Sequence, residues 1–189
     1  MQVNEAQIER YPITTDLYHQ MIERGILTEN DKIELLEGEL IKMSAVGPRH
    51  AACVERLSDY LKDELGRGVS IRHQNPVELS DYSEPEPDIA VIKRRADYYL
   101  HAHPQPGDVL LLVEVADSTL KKDRGVKLGA YAQAGIAEYW IVNLVDDLIE
   151  VYTNPTGNTY QNVRLVRRDE TLALQALPAI TLQSDEVLG

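Results

Sequence analysis

Cysteine is nearly missing. Cys53 is the one example in 189 residues, so the chain can form no internal disulfide, which fits a reducing compartment. Phenylalanine is absent, so leucine, valine, isoleucine and the ten tyrosines must fill the core. No apolar run approaches the roughly 18 residues of a membrane span. The opening stretch, MQVNEAQIERYPITT, lacks the basic and apolar blocks of a signal peptide. The expectation is a cytoplasmic protein with no membrane partner. Positive charge is also scarce: 19 Lys and Arg stand against 31 Asp and Glu, a formal net charge of -12. That balance argues against a broad basic surface for nucleic acid. Local basic clusters remain at Lys93-Arg94-Arg95, at Lys121-Lys122 and from Arg164 to Arg168, and these read as solvated faces.

What is present is a chain able to fold. Hydrophobic residues make up 43 %, and the length suits one domain that buries a core without staples. The expected layout over 1–189 is an N-terminal helix and hairpin (1–45), a core (46–153) and a C-terminal extension (154–189). TTDLYHQMIERG (14–25) predicts a short helix capped by Thr14 or Thr15 and stopped by Gly25. KIELLEGELIKM (32–43) reads as a hairpin turning at Glu37-Gly38. Val54, Leu57, Leu61 and Leu65 recur at helical spacing between Pro48 and Gly66.

Strand-like segments follow at 69–79, 87–92 and 109–116, with a polar helical turn and loop over 93–108. A helix is expected over 117–135, with Asp117, Ser118 or Thr119 as N-cap and Gly135 as C-cap. Further strands are expected at 138–144, 148–154 and 159–168. This order predicts an α/β or α+β fold: a mixed sheet covered by helices, ending in a β meander.

One residue is out of place in that scheme. Glu114 interrupts the aliphatic run VLLLVEVA (109–116), and an ionised carboxylate taken out of water costs several kcal/mol, roughly, unless compensated. Asp88 opens PDIAVI, and period-two geometry puts Asp88, Ala90 and Ile92 on one face. If the two strands are neighbours, Asp88 and Glu114 meet at one spot, where two carboxylates need a proton or a cation between them. Oxygen-only ligands suit a hard ion such as Mg²⁺. Lys127, in the following helix, then stands beside that ion to orient or deprotonate a water. The implied reaction is metal-assisted phosphodiester hydrolysis. The plain reading is that single carboxylates at strand ends are common.

The strings EPDIAVI, LLLVEVADST and KKDRGVKLGAYAQAGIAEYWIVNL, with ELLEGELIKMSAVGPRHAACVERL upstream, resemble the Uma2 (Uma-two) family of predicted restriction endonucleases, within the PD-(D/E)XK nuclease superfamily. The resemblance covers roughly residues 10 to 153. It implies a restriction-endonuclease-like core, a divalent metal (Mg²⁺ or Mn²⁺), a nucleic-acid substrate, DNA above RNA, and a homodimer. Pro87-Asp88 corresponds to the PD element and Glu114 to the (D/E) element, with the Val115 carbonyl as an extra metal ligand. The usual lysine position holds Ala116, a departure from the pattern, and Lys127 is the expected substitute. His50 matches a family histidine and is expected to contact a phosphate, hold the acidic pocket, or make a structural hydrogen bond.

Gln74 is expected either to bond a metal water or to face solvent. Asp123 is expected to form an i,i+4 pair with Lys127. Glu37 reads as a turn residue, and Tyr131, Tyr139 and Trp140 as core or dimer-contact aromatics. His73, His101 and His103 make no zinc pattern with a lone cysteine. The rival to the nuclease is a catalytically inactive nuclease fold kept as an interaction module, which Ala116 and the acidity favour.

Overall fold

The computed structural model describes residues 10–189; the first nine residues of the opening stretch lie outside the described residues. Helix α1 (Thr15–Glu23) starts where Thr14 accepts a hydrogen bond from the Leu17 amide. Strands β1 (Ile33–Leu36) and β2 (Glu39–Lys42) pair antiparallel. Their turn needs two left-handed residues, Glu37 at φ 50° and Gly38 at φ 77°, as a two-residue hairpin loop demands. A Cβ at Gly38 would also fall 2.6 Å from the Pro12 Cβ. Glu37 is thus a turn residue.

Helix α2 (Pro48–Leu65) has proline in its first turn and ends at Gly66 in a positive-φ conformation. It turns Cys53, Leu57, Leu61 and Leu65 inward. The central sheet has six strands in the order β3-β4-β5-β6-β7-β8: β3 (Val69–Arg72), β4 (Ile89–Lys93), β5 (Val109–Ala116), β6 (Glu138–Asn143), β7 (Leu148–Thr156) and β8 (Thr159–Val166). Only β5 and β6 run parallel; the other pairs are antiparallel. The sheet is therefore mixed and carries helices on its faces, as its sequence pattern predicts.

Two elements differ from the sequence reading. The strand expected over 69–79 stops at Arg72, because Gln74 takes φ 45° and Pro76 follows. The helix expected over 117–135 is shorter and broken: α3 (Leu120–Lys122), a π turn (Asp123–Lys127) and α4 (Leu128–Gln133). The N-cap Thr119 makes no side-chain capping bond.

The sheet separates two apolar clusters. On one face Leu57, Leu61, Val91, Leu111, Val113 and Trp140 pack with Leu172, Leu182 and Val187. Those last residues come from β9 (Thr171–Leu174), β10 (Leu177–Gln183) and α5 (Ser184–Leu188), so residues 171–188 join the main core. On the other face Ala90, Ile92, Leu112 and Ala116 pack with Tyr131, Tyr139, Tyr152 and Tyr160. Each fully buried large apolar side chain contributes about 1.5–3 kcal/mol. The tyrosines do the work of the missing phenylalanines, and Tyr131, Tyr139 and Trp140 are core residues with no measurable exposure.

Candidate active site

Glu114 belongs to the tyrosine-rich face by its alternation with Leu112 and Ala116. Register places Ile89 opposite Val113, and β4 begins there. Beyond that rung, the β5 amide of Val115 has no β4 partner. The Asp88 carboxylate takes it instead, accepting the Val115 N–H at 2.8 Å. Asp88 therefore closes the end of the β4–β5 ladder, and the two acids sit at one end of one strand pair, both lining a single cavity of ≈ 430 Å³.

Asp88 is held on three sides. His50 Nε2, from the first turn of α2, lies 2.9 Å from Oδ2. Gln74 Nε2 donates to Oδ1 at 3.3 Å. Burial alone would raise the Asp88 pKa, but the His50 hydrogen bond and charge and the Val115 amide outweigh it and leave it lowered. The hydrogen bond to Asp88 correspondingly raises His50. His50 thus bonds Asp88, and Gln74, though exposed as one of its two expectations had it, also touches that acid.

Glu114 is 3 % exposed. Lys127 Nζ lies 2.8 Å from its Oε1, and the Tyr131 hydroxyl donates to the same oxygen at 2.7 Å. Burial pushes the Glu114 carboxyl up to about 8, with Lys127 opposing and Asp88, Asp123 and Glu34 adding to the rise. Burial would lower Lys127, yet the carboxylates of Glu114 and Glu34 reverse this and hold it raised. Lys127 is accordingly an ammonium at neutral pH.

The expected Asp123–Lys127 pair does not form. Among the described residues Lys127 pairs with Glu114 and with Glu34, at 3.2 Å, while Asp123 accepts from the Thr119 hydroxyl. The π turn is the reason: its wider winding no longer stacks residues four apart, and Lys127 swings inward to the sheet. Asp123 is buried and lines the cavity, so it bears on the site through its charge. Burial raises its pKa, partly offset by the Thr119 bond.

Three participants escape the sequence reading. Glu34 on β1 is fully buried and bonded by Lys122 Nζ at 3.1 Å and by the Glu86 amide at 3.2 Å. Lys122, read as part of a solvated run, is half-buried against Glu34. Tyr131 is in the core, as read, but its hydroxyl is a ligand of Glu114. Glu34 carried a signal: IELLEGELI sets an acid within an aliphatic stretch, the same anomaly as Glu114. The expected absence of a zinc pattern involves His73, which bonds Ser58 Oγ, and His101 and His103, which lie in another cleft.

Among the described residues no group of three or more His, Cys, Asp or Glu side chains is arranged to hold a metal ion. Mg²⁺, however, is commonly held by one or two carboxylates and several waters. The donors here fit that habit. Both hydrogen bonds to Glu114 fall on Oε1, which leaves Oε2 without a side-chain donor among the described residues.

The fold is nuclease-like. A crystal structure described as "a putative nuclease belonging to DUF820", from Anabaena variabilis, superposes with a TM-score of 0.68 at 16 % identity, covering 94 % of this chain and 98 % of that one. The family model described as "Putative restriction endonuclease", Uma2, matches residues 15–185, and the chain belongs to the Uma2 family. No curated protein matches it.

Proposed function

We propose that this chain is a divalent-metal-dependent endonuclease that hydrolyses phosphodiester bonds in DNA. Asp88, Glu114 and the Val115 carbonyl would hold Mg²⁺ or Mn²⁺, with Lys127 as the cationic catalytic group. His50, Gln74 and Asp123 support the site. The observation that carries the reading is the 2.8 Å contact of Lys127 with Glu114 on the cavity that Asp88 also lines, since a lysine is needed there and Ala116 cannot supply one. When bound, the ion acidifies a water and offsets charge on the phosphate.

The side chains divide the remaining work. His50, Gln74 and the Val115 amide fix the Asp88 carboxylate in one orientation. Glu34 and Glu114 hold the Lys127 ammonium between them, and it offers its protons to the phosphate oxygens as negative charge develops there. The hydrolytic water adds to phosphorus and gives up a proton to solvent. The ester P–O bond breaks, and the leaving oxygen takes up a proton from solvent.

The reading extends to a cytoplasmic homodimer, which would offer two sites to a duplex. A long edge strand, β8, exposes Val163 and Leu165 and is the surface that supports such an assembly. Among the described residues no helix is long and apolar enough to cross a membrane.

The second reading, an inactive interaction module, has one observation in its favour: Lys127 is already neutralised by two buried acids. A cleavage assay separates the two, with Mg²⁺ or Mn²⁺, DNA and RNA substrates, and Asp88→Ala and Glu114→Ala beside the parent. Metal-dependent cleavage lost in both variants is the expected result. No cleavage by the parent, or equal cleavage by all three, leaves the module.

A further inference from the structure

A second cavity, of ≈ 470 Å³, wraps the free edge of the sheet at β3. Among the described residues four cationic ones line it, Lys62, Arg67, Arg72 and Arg94, and no acid does. This is notable in a chain of net charge -12. Lys62 is committed to Asp59. Arg67, Arg72 and Arg94 make no ion pair with a carboxylate among the described residues.

The floor of this cavity also lacks an acceptor. Arg72 donates through Nη2 to Asn75, but among the described residues its buried Nη1 has no partner, nor has the Ser70 hydroxyl. Ser70 and Arg72 are opposite Ile92 and Ala90, so by register they share a sheet face. Two buried donors beside two exposed guanidiniums form a site one anion short of satisfaction. Tyr98, with Arg94 over its ring at 5.0 Å, adds an exposed aromatic face at the rim.

The position relative to the acids matters. Arg72 lines this cavity and Gln74, two residues on, lines the other and bonds Asp88. Ala90 and Ile92 alternate with Asp88 along the same chain. From Ile92 to Asp88 is four residues, about 13 Å of strand, which is about four base-pair rises of a duplex.

We propose that Arg67, Arg72 and Arg94, with Ser70, form a pocket for a backbone phosphate of the nucleic acid whose scissile bond lies at Asp88 and Glu114. The proposal rests on the nuclease reading for the identity of its ligand. It gives Arg94, in the run Lys93-Arg94-Arg95, a function beyond a solvated face. It also shows how an acidic protein can hold DNA: by a few unpaired cations gathered at one sheet edge.

The test is duplex-oligonucleotide binding measured by fluorescence anisotropy over a range of NaCl concentrations, without divalent ion. Arg67→Ala/Arg94→Ala is compared with Arg164→Ala/Arg167→Ala as a control. Arg67 and Arg94 are exposed, so the fold should survive, and circular dichroism checks this. The expected result is weaker binding to all sequences, on the order of tenfold at low salt, with the log K against log salt slope reduced by about 0.9 for one lost phosphate contact. The control should keep the parental slope.

An unchanged slope and affinity in Arg67→Ala/Arg94→Ala overturns the pocket, as does a parent that binds no duplex. Inorganic phosphate that raises the parent's melting temperature, with no change in DNA binding on substitution, assigns the cavity to a free anion and also overturns it. A parent that binds with the expected slope but cleaves nothing with metal keeps the pocket and ends the nuclease reading. Cleavage with an unaltered slope does the reverse.

Discussion

Lys127 stands between two buried acids, 2.8 Å from Glu114 and 3.2 Å from Glu34. The two acids come from separate sheets, β5 of the central sheet and β1 of the N-terminal hairpin. One ammonium thus ties the hairpin to the site.

Removing that ammonium should be costly. Above pH 8, where Glu114 is ionised, Lys127→Met leaves two buried carboxylates facing each other, and breaking a buried pair in this way destabilises by about 3–5 kcal/mol. Urea unfolding of Lys127→Met, Glu114→Gln and the double variant checks this. The double should lose less than the sum of the singles, since the neutral amide no longer needs the ammonium. Additive losses would show that the two groups do not interact.

Glu114 should make stability fall as pH rises. Its carboxyl is held up to about 8 in the fold, against roughly 4.3 in a free chain. Between those values the native state keeps a proton that the unfolded state has lost, so unfolding free energy declines with pH, by at most about 1.4 kcal/mol per unit. Glu114→Gln should flatten that decline between pH 5 and pH 8. Identical pH profiles for the two proteins would remove Glu114 as the source.

The His50–Asp88 pair has the opposite acid limb. The lowered Asp88 stabilises above its unfolded pKa, and this is lost as pH falls through the folded value. The raised His50 stabilises below its unfolded pKa, roughly 6.5, and this is lost as pH rises through the folded value. His50→Ala should therefore cost most near pH 5 to 6 and less at pH 8. Urea melts at these values, with an NMR titration of the His50 ring, provide the check.

Mg²⁺ should raise the melting temperature of the parent, because an ion bound only by the folded state stabilises it by mass action, about 2.7 kcal/mol at a hundredfold excess over Kd. Asp88→Ala and Glu114→Ala should lose the shift. Equal shifts in all three would place the ion elsewhere.

Tyr131→Phe should keep the packing of a fully buried ring and lose one bond to Glu114. The expected cost is about 1.5–3 kcal/mol if the carboxyl is ionised and about 1 kcal/mol if it is neutral. Urea unfolding in the presence and absence of Mg²⁺ reads the difference.

The sequence by itself determined the order of most elements up to residue 168, because alternation, helical spacing and the Pro and Gly stops are local properties, but not β9, β10 or α5. Glu114 and Asp88 were visible for the same reason: an acid in an aliphatic strand and an acid behind Pro87 are anomalies a one-dimensional pattern can show. Lys127 was already expected beside them, and its actual partners were decided in three dimensions. Asp123 and Lys127 have the spacing of a helical ion pair, but a π turn redirects the lysine to the sheet. Glu34, distant in sequence, reaches the same ammonium through a hairpin whose docking no local pattern encodes. Arg72, Arg94 and Arg67 form one pocket because β3 is the sheet's edge, and strand order depends on long-range pairing.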